Sequence, residues 1–299
     1  MSPYQILMKG AIIIMEKRFL APAAIADAMI GVGKGKCSLK TSQMVLLGIF
    51  AGAFIAFGAF ASGMVSHSVE NVGLSKFVGA AVFPVGLMLV VMCGAELFTG
   101  NNLITVAYLN KDVTLNQMLK NWVFVYLGNL IGSLLIAILV IGSGLLTTSG
   151  GGLGATAIKV ASAKVSMTFG QAVVRGILCN ILVVLAVWMA IGAQDVISKI
   201  WSCWFPVMLF VLSGFEHSIA NMYFIPVGIM AKANAQFAEA SGLAAEKLAA
   251  INWGTFITNN IIPVTIGNII GGAVIVSWVY WYVYKGCKKE ENAPAQAAK

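Results

Sequence analysis

Charge is scarce in this sequence. Of its 299 residues 10% are Asp, Glu, Lys or Arg while 59% are hydrophobic, and the mean hydropathy is +0.89. So few charges cannot cover the surface of a water-soluble protein of this size, which makes lipid the solvent for most of the chain. Backbone polar groups in hydrocarbon must be satisfied internally, leaving helices or closed barrels. The two-residue alternation of barrel strands is missing, and the apolar runs are about 20 residues long and uniform. An all-α polytopic membrane protein is expected. Histidine is also rare, with two in the chain. No His/Cys/Asp cluster falls within the apolar spans, which argues against metal transport, and neither a metal nor another cofactor is expected. Nucleotide chemistry is excluded for want of a P-loop or a GxGxxG after a strand. The five cysteines (Cys37, Cys93, Cys179, Cys203, Cys287) form no CxxC pair, and Cys93 and Cys179 sit inside apolar runs as small core residues. The net charge of +8 comes from basic residues thinly spread over helix ends and loops. That pattern anchors cytoplasmic loops and has no basic face for nucleic acid.

Six spans are expected, at 44–66, 77–109, 118–146, 170–192, 201–230 and 261–284. Ahead of them, 21–36 carries Ile25, Met29 and Val32 at helical spacing with Lys34 and Lys36 at its end, the pattern of an amphipathic helix on the membrane surface. Residues 1–20 read as an N-terminal extension without a signal-peptide cleavage site, and 285–299 as a disordered cytoplasmic tail. Placing both termini in the cytoplasm puts thirteen Lys and Arg inside and five outside, with Arg175 within the fourth span.

The second and fifth spans are too long for one crossing and match each other. Phe83-Pro84-Val85 leads to Gly94-x-Glu96-x-x-x-x-Asn101, and Phe205-Pro206-Val207 leads to Gly214-x-Glu216-x-x-x-x-Asn221. In the third span Asn121 precedes Gly128-Asn129 by seven residues, as Asn260 precedes Gly267-Asn268 in the sixth. Three spans per half implies halves of opposite topology, 44–146 and 170–284. This is an inverted repeat with broken helices meeting at mid-membrane. Glu96 and Glu216 are costly there, about 2.5–3.5 kcal/mol each on insertion scales. Carboxylates accepting backbone N–H bonds at restarting half-helices would offset that cost, so both glutamates, with Asn101 and Asn221, read as braces for the broken segments. His217 has no counterpart in the first half, where Phe98 or Leu97 takes the comparable place. It reads as a donor or proton partner to a passing ligand.

Half-helix N-termini pointing to the centre favour anions. Lys159 and Lys164 lie in an outer stretch, 142–192, that has no acidic residue. The pattern suits small anions, or weak acids carried in protonated form. An aquaporin-like channel for neutral solutes stays open as the alternative. An intramembrane serine protease would need Ser213 or Ser218 paired with His217 on one helical face, which the break argues against.

The segments GAELFTGN (94–101), SGFEHSIANMYFIP (213–226) and NNIIPVTIGNIIGG (259–272) resemble the formate/nitrite transporter family, which also includes hydrosulfide channels. The resemblance covers about 22–284. It implies an aquaporin-like protomer in a homopentamer within a bacterial-type inner membrane, with one pore per protomer for formate, nitrite or hydrosulfide and no enzymatic activity. It further implies that His217 is the central pore histidine and that Thr99 can hydrogen-bond to it. Lys164 then faces the outer vestibule, and Asn180 is a polar residue near the lumen. Phe83, Leu87, Leu97, Phe98 and Phe210 become the apolar constrictions. The weak acid would cross mainly as the neutral molecule, or with a proton exchanged near His217. Gly100 and Arg175 are the departures from the pattern.

Overall fold

Pro22 at the first turn and side-chain caps from Asn71, Thr114, Thr168, Asp195 and Asn234 set where several helices of this chain begin. The computed structural model describes residues 5–8, 11–14 and 19–286. Strands β1 (Gln5–Met8) and β2 (Ala11–Ile14) pair antiparallel, with Gln5 opposite Ile14. Helices α1 (Pro22–Ser38) and α2 (Thr41–Ser66) follow. Helices α3 (Val72–Val82) and α4 (Val85–Cys93) form one apolar stretch bent at Phe83-Pro84, where proline offers no N–H. After a gap come α5 (Phe98–Asn101) and α6 (Ile104–Leu109). Helices α7 (Leu115–Gly142) and α9 (Phe169–Gly192) open on capping boxes, Thr114 with Gln117 and Thr168 with Gln171, and α8 (Gly152–Val165) lies between them. Helix α10 (Val196–Leu212) stops short of α11 (Ser218–Ala231). Short helices α12 (Ala235–Ala240) and α13 (Ala245–Ala250) lead to α14 (Trp253–Gly286), which carries wide π-type turns at Phe256–Ile261 and Ile270–Ser277. Among the described residues five stretches, 41–66, 72–93, 115–142, 169–192 and 253–286, are long and apolar enough to cross a membrane; α10 and α11 are apolar but shorter.

Helices associate here through small residues, because lipid offers no hydrophobic contrast to hold apolar faces together. A Cβ on Gly48 would stand 2.9 Å from the Val125 carbonyl oxygen, and one on Gly132 would strike the Ile49 carbonyl, so α2 and α7 touch backbone to backbone. Helices α9 and α14 repeat this, with a Cβ on Gly176 falling 2.7 Å from the Val264 oxygen. Gly132→Ala is therefore expected to push α2 from α7 and destabilise the protein by about 1–3 kcal/mol, as overpacking does. Thermal unfolding in detergent checks this, with Gly142→Ala, where a Cβ meets nothing, as the neutral control.

Helix α1 is packed rather than merely laid on a surface: Ile25, Ala26, Met29 and Gly33 are buried, and α1 sits against α6 and α9. Lys34 pairs with Asp112 at 3.1 Å and Lys285 with Asp27. The stretch expected as an extension holds the β1–β2 hairpin, and Leu20 N–H donates to the Gly192 carbonyl at 2.9 Å. Cys287 and the tail beyond 286 lie outside the described residues.

Candidate functional site

Both interrupted stretches end on a glycine in the left-handed region, Gly94 at φ 78° and Gly214 at φ 71°. A Cβ would meet nothing at either place, so the backbone angle and not crowding requires glycine. The chain then runs extended through Leu97 (φ −108°, ψ 121°) and His217 (φ −108°, ψ 114°), and each helix restarts at the next residue. A restarting helix presents N–H groups without partners, which must be met inside a membrane. Asn129 and Asn268 meet them: Phe98 N–H donates to Asn129 Oδ1 and Ser218 N–H to Asn268 Oδ1, both at 2.9 Å. The same two amides donate to the carbonyls of Glu96 and Glu216, each at 2.9 Å, and of Gly48 and Gly176, each at 2.8 Å.

The carboxylates do not accept backbone N–H bonds, contrary to the expectation from sequence. Glu96 takes Lys36 Nζ at 2.6 Å and Asn101 Nδ2 at 2.7 Å. Glu216 takes Lys164 Nζ at 3.0 Å on both oxygens and Asn221 Nδ2 at 2.6 Å. Asn101 also donates to Asn121 (2.8 Å) and Asn221 to Asn260 (2.7 Å). Those partners donate in turn to the carbonyls of Lys36 (3.1 Å) and Lys164 (3.0 Å). The first N–H of each restarting helix, Phe98 and Ser218, is taken by Asn129 and Asn268, and among the described residues each buried carboxylate is held by an ammonium and an amide. Lys36 was missed as a site residue, although Lys36-x-Ser38 and Lys164-x-Ser166 repeat in the sequence. The matched hydrogen bonds begin at these lysines, outside the expected bounds of 44 and 170.

The match fails where Leu97 stands in one half and His217 in the other. His217 caps α11: its Nδ1 accepts from the Ala220 N–H at 3.1 Å. A neutral ring whose Nδ1 accepts carries its proton on Nε2, which lies 2.8 Å from Thr99 Oγ1. Nε2–H therefore donates to the threonine oxygen, leaving the hydroxyl hydrogen without an acceptor among the described residues. A second proton on Nδ1 would displace the Ala220 N–H. Thr99 is fully buried and His217 is 3% exposed.

Two cavities approach this pair, one lined by His217 itself and the other by Leu97 and Gly100, before and after Thr99 in the chain. One of about 270 Å³ is lined by Lys76, Phe83, Lys164, Phe210, Glu216 and His217. The other, of about 230 Å³, is lined by Lys36, Leu87, Glu96, Leu97, Gly100 and Asn101. Phe83 and Phe210 meet edge to face at 5.8 Å, and Phe210 stacks on His217 at 5.8 Å. Three expected pore residues line neither cavity, the first being Thr99, fully buried beside His217. Phe98 lines neither cavity: one residue past the extended Leu97 it turns to the opposite side and packs edge-on against Tyr126 (4.8 Å) and Trp122 (5.9 Å). Asn180 also lines neither; its amide, fully buried, donates to Asn268 O (2.7 Å), Asn102 Oδ1 (2.9 Å) and Thr99 O (3.3 Å), so it supports Thr99 from behind. Arg175 is exposed and faces neither cavity.

A sequence profile described as "Formate/nitrite transporter" matches residues 23–282. The chain is 40% identical over 288 residues to the "Probable formate transporter" of Methanothermobacter thermautotrophicus, covering 90% of this chain and 99% of that protein. It is 42% identical over 269 residues to "Formate channel FocA" of Escherichia coli (strain K12), covering 89% and 94%. Among solved structures, "Pentameric formate channel with formate bound" superposes with a TM-score of 0.74 at 37% identity, covering 82% of this chain and 97% of that one. "FNT family ion channel" does so with a TM-score of 0.74 at 26% identity, covering 87% and 98%. Profile, sequence identity and fold agree: this chain belongs to the formate/nitrite transporter family, as an integral membrane transport protein and not an enzyme.

Proposed function

We propose that this chain conducts formate through a pore inside each protomer, past Thr99 and His217, with six membrane crossings arranged as two inverted halves. One observation supports the path above all: His217, which lines one cavity, is hydrogen-bonded to the buried Thr99, whose neighbour Gly100 lines the other. With His217 Nε2–H donating to Thr99, the threonine hydroxyl is left to donate. A carboxyl group, which offers an acceptor oxygen whether or not it is protonated, is the complementary ligand. Moving a bare anion through the phenylalanine and leucine rings would cost many kcal/mol, so the weak acid crosses the rings protonated and meets the polar pair between them. Lys36–Glu96 and Lys164–Glu216 stand at the two approaches. Nitrite and hydrosulfide, also conjugate bases of weak acids, would satisfy the same donor. A homopentamer follows by likeness to the pentameric formate channel, cytoplasmic termini follow from the distribution of basic residues, and a bacterial-type inner membrane follows from the family resemblance.

Proteoliposomes given formate, nitrite, hydrosulfide, lactate or chloride gradients provide the test, read by an internal pH dye and by reversal potentials. Formate uptake accompanied by internal acidification is expected, with chloride excluded. Passage of water or glycerol without any weak-acid flux would instead establish a neutral-solute channel and overturn the reading.

A further inference from the structure

Lys164 is a poor source of positive potential for the outer cavity. Both Glu216 oxygens lie 3.0 Å from its Nζ, which also stands 5.3 Å over the Phe224 ring, so the ion pair is close to neutral as seen from the cavity. The same cavity is lined by a second lysine, Lys76 on α3, for which no acidic partner occurs among the described residues. Its orientation follows from its register. Lys76, Ala80, Phe83 and Leu87 succeed one another at helical spacing, the first three facing the outer cavity and the last the inner one. One face of the α3–α4 stretch thus forms the wall of the path, with Lys76 at its outer end. At 1.5 Å per residue, Lys76 sits about 10 Å along the axis from Phe83, on the order of a Debye length at physiological salt.

We propose that Lys76, rather than Lys164, is the residue that concentrates small anions at the outer mouth. The inner mouth lacks such a device. The residue matching Lys76 is Val196 when counted from Gly94 and Gly214 and Ser198 when counted from Phe83 and Phe205, neither of them charged, and the lysine lining that cavity, Lys36, is held by Glu96 at 2.6 Å. The two approaches therefore differ by one uncompensated positive charge, and capture is electrostatically one-sided. This inference rests on the proposed conduction of formate. An uncompensated charge about 10 Å from an anion is worth about twofold in local concentration at a water-like dielectric and low ionic strength.

The test uses full-length protein in proteoliposomes, with formate applied from the outer face at low concentration while ionic strength is stepped from low to high with a non-permeating salt. Wild-type flux is expected to fall about twofold as the charge is screened. Lys76→Gln is expected to start at the lower value and stay flat, and Lys76→Arg to restore the salt dependence. Lys76 is exposed, so size-exclusion profiles of the variants should match wild type. A Lys76→Gln channel that keeps wild-type flux and salt dependence overturns the inference. So does a Lys76→Arg channel that behaves like Lys76→Gln. Absence of formate flux in the wild type would instead count against the conduction reading on which this one stands.

Discussion

His217→Leu, which installs the residue found at the matching position of the other half, is expected to reduce formate flux to the level of empty liposomes. Two interactions vanish together. Thr99 loses the Nε2–H donor at 2.8 Å, and α11 loses the Nδ1 acceptor that caps Ala220 N–H at 3.1 Å. The first loss frees the threonine hydroxyl to turn toward any nearby acceptor, so it is no longer aimed by the ring. The second costs about 1 kcal/mol of helix capping. His217→Asn separates them, because an asparagine oxygen can still cap Ala220 while its shorter amide cannot reach Thr99. That variant should therefore fold like wild type yet conduct at least about tenfold more slowly, the equivalent of one hydrogen bond worth about 1.4 kcal/mol. Its selectivity among formate, nitrite and hydrosulfide should shift too. If His217→Asn keeps wild-type flux, selectivity and pH dependence, the central role assigned to the Thr99–His217 pair is wrong.

Lys164→Met is expected to have the largest effect on stability. It would leave the Glu216 carboxylate, 6% exposed, without its ammonium, facing Asn221 alone. Breaking a buried pair from one side costs about 3–5 kcal/mol, which for a chain of this size is a fall of about 6–20 °C in Tm. Lys164→Met/Glu216→Gln should recover most of that, since a glutamine oxygen can still accept from Asn221 and no charge is left stranded. Lys36 and Glu96 should behave the same way, with a smaller penalty because the Lys36 side chain is 23% exposed against 16% for Lys164. Tryptophan fluorescence during heating in detergent reads all of these. A double variant no more stable than Lys164→Met would show that the cost lies in lost packing and not in the stranded charge.

Much of this architecture was legible in the residues because helical membrane folds are written in local chemistry. Uniform apolar runs specify helices, since no water is present to satisfy an open backbone. Gly94 and Gly214, followed in each case by a glutamate and an asparagine, announce a break that must be braced. The paired Asn129 and Asn268 were visible as a repeat, although their task of meeting Phe98 N–H and Ser218 N–H was not. Lys36 escaped notice because it sits before the first long apolar run, and its partner Glu96 is sixty residues on.

The amino-acid sequence by itself determined that the chain lives in lipid, that two of its apolar stretches break at matching places, and that only one break carries a histidine. Those facts depend on composition and on spacing along one chain. The tertiary structure alone decided which face each residue shows. It turned Phe98 toward Tyr126 and away from both cavities, set Asn180 behind Thr99, and tied each buried glutamate to a lysine distant in the chain. It also left Lys76 without an acidic partner among the described residues on the wall of the outer cavity. These outcomes depend on how separate helices cross and how an extended residue redirects its neighbour's side chain. No spacing within a single segment encodes either.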